Sequence, residues 1–198
     1  SYRDFEWIIV DDGSSDNTSE VINEWDAEFP IRYYRKENGG KHTAINLGTK
    51  LAKGELFFIA DSDDTLMDSA LQSVADQWSK VKQSPQIGGV VGLDVNSKNG
   101  EIIGGGLPQD VIDCDATEIR YRYHVRGDLK EVFKTDVLSE FPFPEIKGER
   151  FCPEQLVWFR IAQKYKLRYF NKPIYMAEYQ PDGITSGIVK ARMKSPVA

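Results

Sequence analysis

The sequence predicts an α/β domain built on a largely parallel central sheet, with helices on both faces. Three observations predict it. Short apolar runs alternate with stretches whose apolar residues recur at helical spacing. The order that results is β-α-β-α-β-α-β, which favours parallel pairing and right-handed crossovers. Two of the apolar runs end in acid pairs inside turn-forming sequence, as strands do where an open sheet meets its ligand edge.

The elements follow in order. Glu6 to Val10 is a short apolar run ending in Asp11-Asp12-Gly13-Ser14, so it reads as a buried strand entering a turn. Asp16 or Asn17 can cap a helix with Val21, Ile22, Trp25 and Phe29 on one face. Ile31 to Arg35 is a second strand, closed by Asn38-Gly39-Gly40. Ala44, Ile45, Gly48, Leu51 and Ala52 then recur at helical spacing, and Gly54 ends that helix. Leu56 to Ala60 is a third buried strand, followed by Asp61-Ser62-Asp63-Asp64. Ala70, Leu71, Val74, Ala75, Trp78 and Val81 form the next apolar stripe, and Gly89 to Leu93 is a fourth strand.

The second half is less regular. Gly104-Gly105-Gly106 and Pro108 mark a loop, and residues 116–123 carry no clear period. Phe141-Pro142-Phe143-Pro144 cannot be helix interior. A helix is expected from Glu154 to Tyr165 with Trp158, Ile161, Ala162 and Tyr165 facing inward. Two short strands follow, near Leu167 to Phe170 and Ile174 to Tyr179. After Pro181 the tail is polar, and mobility is expected there. No repeat or linker divides the 198 residues, so one domain over 1–198 is expected, in two halves (1–100 and 101–180) and a tail (181–198).

Composition narrows the function classes. A formal net charge of -6 argues against a nucleic-acid partner, which requires a basic face. An acidic protein still binds an anionic nucleotide when a divalent metal supplies the positive charge. Two cysteines, Cys114 and Cys152, make no disulfide framework and read as small buried residues in a reducing, cytoplasmic setting. No apolar run approaches the roughly 20 residues that span a bilayer.

The acid pairs carry the chemistry. Strands of one sheet bring Asp11-Asp12 and Asp61-x-Asp63-Asp64 to one edge, and converging carboxylates repel each other unless a cation or donor-rich ligand joins them. A hard divalent ion with a diphosphate fits, because magnesium takes one or two carboxylates and completes its shell with phosphate and water. The plainer alternative is that the acids cap the helices that follow, which is the reading preferred for Asp16 and Asp68. On a third loop, Gly39 and Gly40 allow a backbone to approach a flat ligand, and Lys41 could reach a phosphate or ribose; the same residues also suit an ordinary turn. His42 reads as a first-turn helix residue. His124 has no partner at a metal-ligand spacing.

Asp11-Asp12-Gly13-Ser14, Asn38-Gly39-Gly40-Lys41 and Asp61-Ser62-Asp63-Asp64, in this order on these elements, resemble the family-two inverting glycosyltransferases of bacterial type, with the GT-A fold. The resemblance runs from Ser1 to about Tyr179. It implies a Rossmann-like α/β/α sandwich with a mostly parallel sheet. Family members carry about 30 further residues, a strand and a helix, before the point matching Ser1, as one β-α unit needs. The natural protein is therefore expected to extend before Ser1, with the Trp7–Val10 strand left with an open edge.

By the same resemblance Asp12 reads the nucleobase with Asp11 beside it, Gly39 and Lys41 lie near base and ribose, Asp61 lies near ribose and sugar, and Asp63 holds Mn2+ or Mg2+ on the sugar diphosphate. The family's base is the second acid of a Glu-Asp pair opening a helix with a tryptophan and an arginine. Alignment on Trp158 and Arg160 puts Glu154 there and Pro153 in place of the preceding acid. That departure resembles a subset of the family with an upstream acid, here Glu149. Arg126-Gly127-Asp128 and Tyr179-Gln180-Pro181-Asp182-Gly183 fit the same subset, which sets Gly127 and Asp128 near the donor sugar or the acceptor.

The implied reaction transfers a sugar from a nucleotide-diphosphate donor, a UDP-sugar first among them, to a saccharide or lipid-linked acceptor in cell-surface polysaccharide or glycoconjugate synthesis. It places the protein in the cytoplasm and leaves room for peripheral association with the inner face of the membrane. Two rivals share many of the residues: a sugar-1-phosphate nucleotidyltransferase, which would open with a glycine-rich basic loop, and an inactive nucleotide-sugar-binding domain.

Overall fold

The computed structural model describes residues 2–179 and 188–195. Strands β1 (Trp7–Asp11) and β2 (Ile31–Arg35) pair in parallel on either side of helix α1 (Thr18–Asn23). The helix is shorter than its apolar spacing suggests. It stops at Asn23, so Trp25 and Phe29 reach Trp7 from the connecting turn, with ring centroids 5.5 Å and 5.9 Å away. β1 is also more open than a buried strand, with Trp7 39% exposed.

Helix α2 (Lys41–Leu51) buries His42, Ile45, Asn46 and Thr49, which share one face at helical spacing. His42 is thus a core residue, beyond the first-turn role expected. Gly48 lets this helix lie directly over Phe57 and Val10, so α2 spans the ends of β1 and β3 (Leu56–Phe58). Asn46 fixes the other side. Its amide donates to the Phe143 carbonyl and accepts from the Phe143 N–H, both at 2.9 Å, and anchors the Phe-Pro-Phe-Pro loop that leads toward Glu154.

A second sheet has the order β3-β7-β5-β8-β4, with β6 on β8. Its members are β3, β4 (Thr65–Leu66), β5 (Ile87–Asn96), β6 (Val111–Cys114), β7 (Leu129–Lys134) and β8 (Lys166–Ala177). β5 and β8 run parallel. β3 and β5 share a direction because both are antiparallel to β7, which lies between them. The third and fourth strands of the sequence pattern are therefore not neighbours, and the sheet is mixed. β7 escapes the alternation rule because its buried residues, Leu129, Val132 and Phe133, follow no period of two and enclose Lys130 and Glu131. The two strands expected near the end are one strand, β8, irregular at Pro173, where its register with β5 shifts. Among the described residues, β1 pairs with β2 alone and not with β3.

Two apolar cores make three layers. Helix α3 (Ala70–Ser79) covers one face through Ala70, Val74 and Trp78. The other face is covered by α2, α4 (Glu118–Tyr121), α5 (Thr135–Glu140) and α6 (Glu154–Ala162). Trp158 of α6 sits 4.4 Å from Phe133 and edge-on to Phe143, which sets the helix and its first residue, Glu154, against the sheet. α6 ends at Ala162, so Tyr165 lies past its end. Cys114 and Cys152 are free and buried. Of the polar tail, residues 188–194 form α7 (Ile188–Lys194), and Ser195 accepts a hydrogen bond from Phe151 N–H at 3.2 Å. Gln180 to Gly183 lie outside the described residues.

Candidate active site

β1 delivers Asp11 and Asp12 to their turn. Asp11 is a strut: it is buried, and it accepts from Ser14 N–H at 2.7 Å and from the Tyr33 hydroxyl at 2.6 Å. Burial works to raise its pKa, but these donors and Arg35 hold it below the usual range. Asp12 reaches across to the glycine loop. Its carboxylate accepts from Gly39 N–H at 2.9 Å, Gly40 N–H at 2.7 Å and the Lys36 ammonium at 2.6 Å. Those bonds outweigh burial and keep it ionised. Lys36, which no motif signalled, thus completes the link between the first and second loops.

Lys41, the first residue of α2, turns away from Asp12 to the Asp61–Asp64 loop. Its ammonium lies 2.6 Å from Asp61 Oδ1, 2.8 Å from Asp61 Oδ2 and 2.8 Å from Glu154 Oε1. Burial opposes its charge, yet Glu154 and Asp61 more than offset this and hold it well above the usual lysine range. Asp61 N–H donates to the Tyr175 hydroxyl at 2.7 Å, which pins the loop to β8. Asp64 accepts from Glu178 N–H at 2.8 Å, while Asp63 between them is exposed.

Gly127 is in the left-handed region at φ 73°, packed on Gly104, where a side chain on either residue would collide with backbone. Arg120 clamps the same turn through the Gly127 carbonyl at 2.6 Å. Its role in the structure is to aim Asp128, which accepts from the Tyr179 hydroxyl at 2.7 Å. His124 is exposed at φ 55° and joins none of this.

Two further residues escaped the motifs. Asp94 lies inside β5, with buried Val95 and then Asn96 after it, so no turn or acid pair marks it in the sequence. It is buried, its Oδ1 has no hydrogen-bond partner among the described residues, and burial pushes its carboxyl up to about 7. Lys130 lies 3.4 Å above the Tyr175 ring, and burial lowers its pKa among Asp61, Asp94 and Glu154. Asp94 gives a stability prediction. A carboxyl whose folded pKa is raised costs stability in full above about pH 7, and the cost fades as pH falls toward the unfolded value of 3.8. Asp94→Asn is expected to raise the melting temperature at pH 8, by a free energy on the order of a few kcal/mol, and to change little at pH 4. Thermal unfolding against pH checks this; a gain independent of pH contradicts the assignment.

Among the described residues no three His, Cys, Asp or Glu side chains are grouped to hold a metal by themselves. The donor set is hard oxygen, with Asp63 free to face a ligand. It suits an ion shared between one carboxylate and a diphosphate better than a protein cage.

Residues 1–98 match the family described as glycosyl transferase family 2. The chain belongs to that family. The glycosyltransferase GlyG of Streptococcus pneumoniae serotype 4 is 33% identical over 189 residues, covering 89% of this chain and 62% of that protein. A poly-beta-1,6-N-acetyl-D-glucosamine synthase of Staphylococcus epidermidis is 28% identical over 91% of this chain and 42% of its own length. The chain thus spans less than two thirds of the length of these relatives. Among solved structures, S. aureus TarS residues 1–349 with UDP-GlcNAc superposes with a TM-score of 0.71 at 20% identity, over 93% of this chain and 54% of that one. That likeness shows the GT-A fold for this family 2 chain.

Proposed function

We propose that this chain is the catalytic domain of a metal-dependent, inverting glycosyltransferase. It moves a sugar from a nucleotide-diphosphate donor, a UDP-sugar, to a hydroxyl of a saccharide or lipid-linked acceptor in polysaccharide or glycoconjugate synthesis. The observation that carries this reading is the meeting of Glu154 with Asp61 across Lys41, which brings a carboxylate on a rigid helix start beside the Asp61–Asp64 acid motif. Support comes from the relatives, one of which is named as a polysaccharide synthase, and from TarS, solved with UDP-GlcNAc and with UDP.

In this reading residues 1–100 take the donor. Asp12, ordered by Gly39, Gly40 and Lys36, faces the base, with Asp11 as its support. Asp61 serves the ribose and sugar, and Asp63 is the carboxylate for a divalent ion. A bound Mn2+ or Mg2+ supplies charge compensation for the departing diphosphate. Residues 101–180 bring Asp128 to the sugar or acceptor and Glu154 to the acceptor hydroxyl, whose proton it takes as the oxygen attacks the anomeric carbon from the face opposite the nucleotide. Rate enhancement comes from positioning and electrostatics, without a covalent intermediate. No helix among the described residues is long and apolar enough to cross a membrane. A cytoplasmic domain working at the inner membrane face agrees with a lipid-linked acceptor.

The test is a thermal-shift and hydrolysis screen. With Mn2+ present, UDP at a hundred times its Kd should stabilise the fold by about 2.7 kcal/mol. UDP should also be released slowly from at least one of UDP-GlcNAc, UDP-glucose and UDP-galactose. Binding without release from any donor points to an inactive binding domain, and no binding of UDP removes the reading.

A further inference from the structure

We propose that Lys41 is a positioning residue for Glu154: its ammonium, held between Asp61 and Glu154, fixes the carboxylate of the base in the crevice. This rests on the glycosyltransferase reading and adds to it a role for Lys41 other than contact with the nucleotide.

A lysine ammonium has three N–H donors. Here it donates one hydrogen bond, to Asp61 Oδ2 at 2.8 Å, and forms close ion pairs with Asp61 Oδ1 at 2.6 Å and Glu154 Oε1 at 2.8 Å; among the described residues that buried Oε1 accepts no hydrogen bond, so Lys41 holds it by charge. A lysine that served only to reach a phosphate would gain nothing from this arrangement. The contact to Glu154 joins the element that carries the donor motif to the helix that carries the base.

The backbone is built to allow it. Lys41 is the first residue of α2 and Glu154 the first of α6. The two helix starts meet because Gly40, at φ 95°, presses on the 150–153 segment; a Cβ there would stand 2.1 Å from the Arg150 carbonyl oxygen. Any side chain at position 40 would separate the helices and carry Lys41 away from Glu154. Asp12 holds the same glycine through its N–H, so the first motif sets the place of Lys41 as well.

Electrostatics gives the link a purpose. Glu154 shares its surroundings with Asp61 and with Glu131, whose carboxyl is pushed up by burial and by the charges of Glu154 and Asp94. Such like charges drive a glutamate side chain out toward water unless a cation holds it. Among the described residues Lys41 is the cation within 4.0 Å of Glu154. A base displaced by about an ångström loses much of its rate advantage.

A double-mutant cycle tests the proposal, with UDP release from the best of the three UDP-sugars as the readout for turnover and calorimetry with UDP for affinity. Lys41→Met is expected to lower kcat about tenfold or more and to leave the Kd for UDP within about threefold. Lys41→Arg, which keeps a cation, should restore most of the rate. In a Glu154→Gln background the same Lys41→Met change should alter kcat by less than about twofold, because it acts through a carboxylate already removed. Lys41→Gln replaces Lys41→Met should the latter not fold. Equal fold losses in both backgrounds, or a weakened Kd with kcat retained, overturn the proposal. A wild-type protein that neither binds UDP nor releases it overturns the glycosyltransferase reading first, and is recognised before any variant is made.

Discussion

Glu154→Gln is expected to cut turnover at least about a hundredfold while the Kd for UDP stays within about twofold. The substitution keeps the shape of the side chain and the start of α6, and removes the negative charge, and with it both the ability to accept a proton and the ion pair with Lys41. Glu154 stands on an element fixed by Val157, Trp158 and Ile161, all buried, so its place does not depend on a loop. The opposing interpretation is a first-turn glutamate that suits the helix dipole. On that view the change costs less than about 1 kcal/mol of stability and leaves turnover intact. Steady-state UDP release and thermal unfolding of the same sample separate the two. Full turnover with a lowered melting point would falsify the assignment of the base.

Asp63→Asn should abolish most of the manganese-dependent affinity for UDP, a loss on the order of a hundredfold, because a site with few protein ligands cannot spare a carboxylate. Its neighbours are committed elsewhere: Asp61 to Lys41, and Asp64 to the backbone of Glu178. Asp63 is exposed and, among the described residues, bears no such bond, so its amide variant should leave the fold unchanged. Calorimetry with UDP, with and without Mn2+, reads the effect without any turnover. Equal manganese dependence in wild type and variant would move the ion to another residue.

The first hundred residues were largely legible because β1, β2, β3 and β5 announce themselves, while the two-residue β4 does not. An apolar run ends in acids or glycines, and the helix that follows shows a clean stripe. Asp12, Gly39, Asp61 and Asp63 could be named from that pattern. Where the sequence misled, packing had overridden period. β7 hides Lys130 and Glu131 among buried residues, and so it reads as no strand at all. Trp25 and Phe29 keep a helical spacing but reach Trp7 from a turn. Asp94 stands single inside β5, where the apolar run resumes at Val95, and so lacks the strand-end acid pair that marks Asp11 and Asp12.

The sequence by itself determined the α/β class, the order of the loops that carry acids and glycines, and the family to which these residues belong. It did so because strand ends, turns and helix stripes are local, readable from neighbours along the chain. Only the tertiary structure decided which acids share a cation. Lys41 lies 20 residues from Asp61 and 113 from Glu154 in sequence. Nothing local ties them; they meet because a glycine without a side chain lets two helix starts touch, and because Asn46 of α2 and Trp158 of α6 both hold Phe143. Coulombic interaction falls with distance in space and takes no account of distance along the chain. The partners of a charged residue are therefore settled by packing.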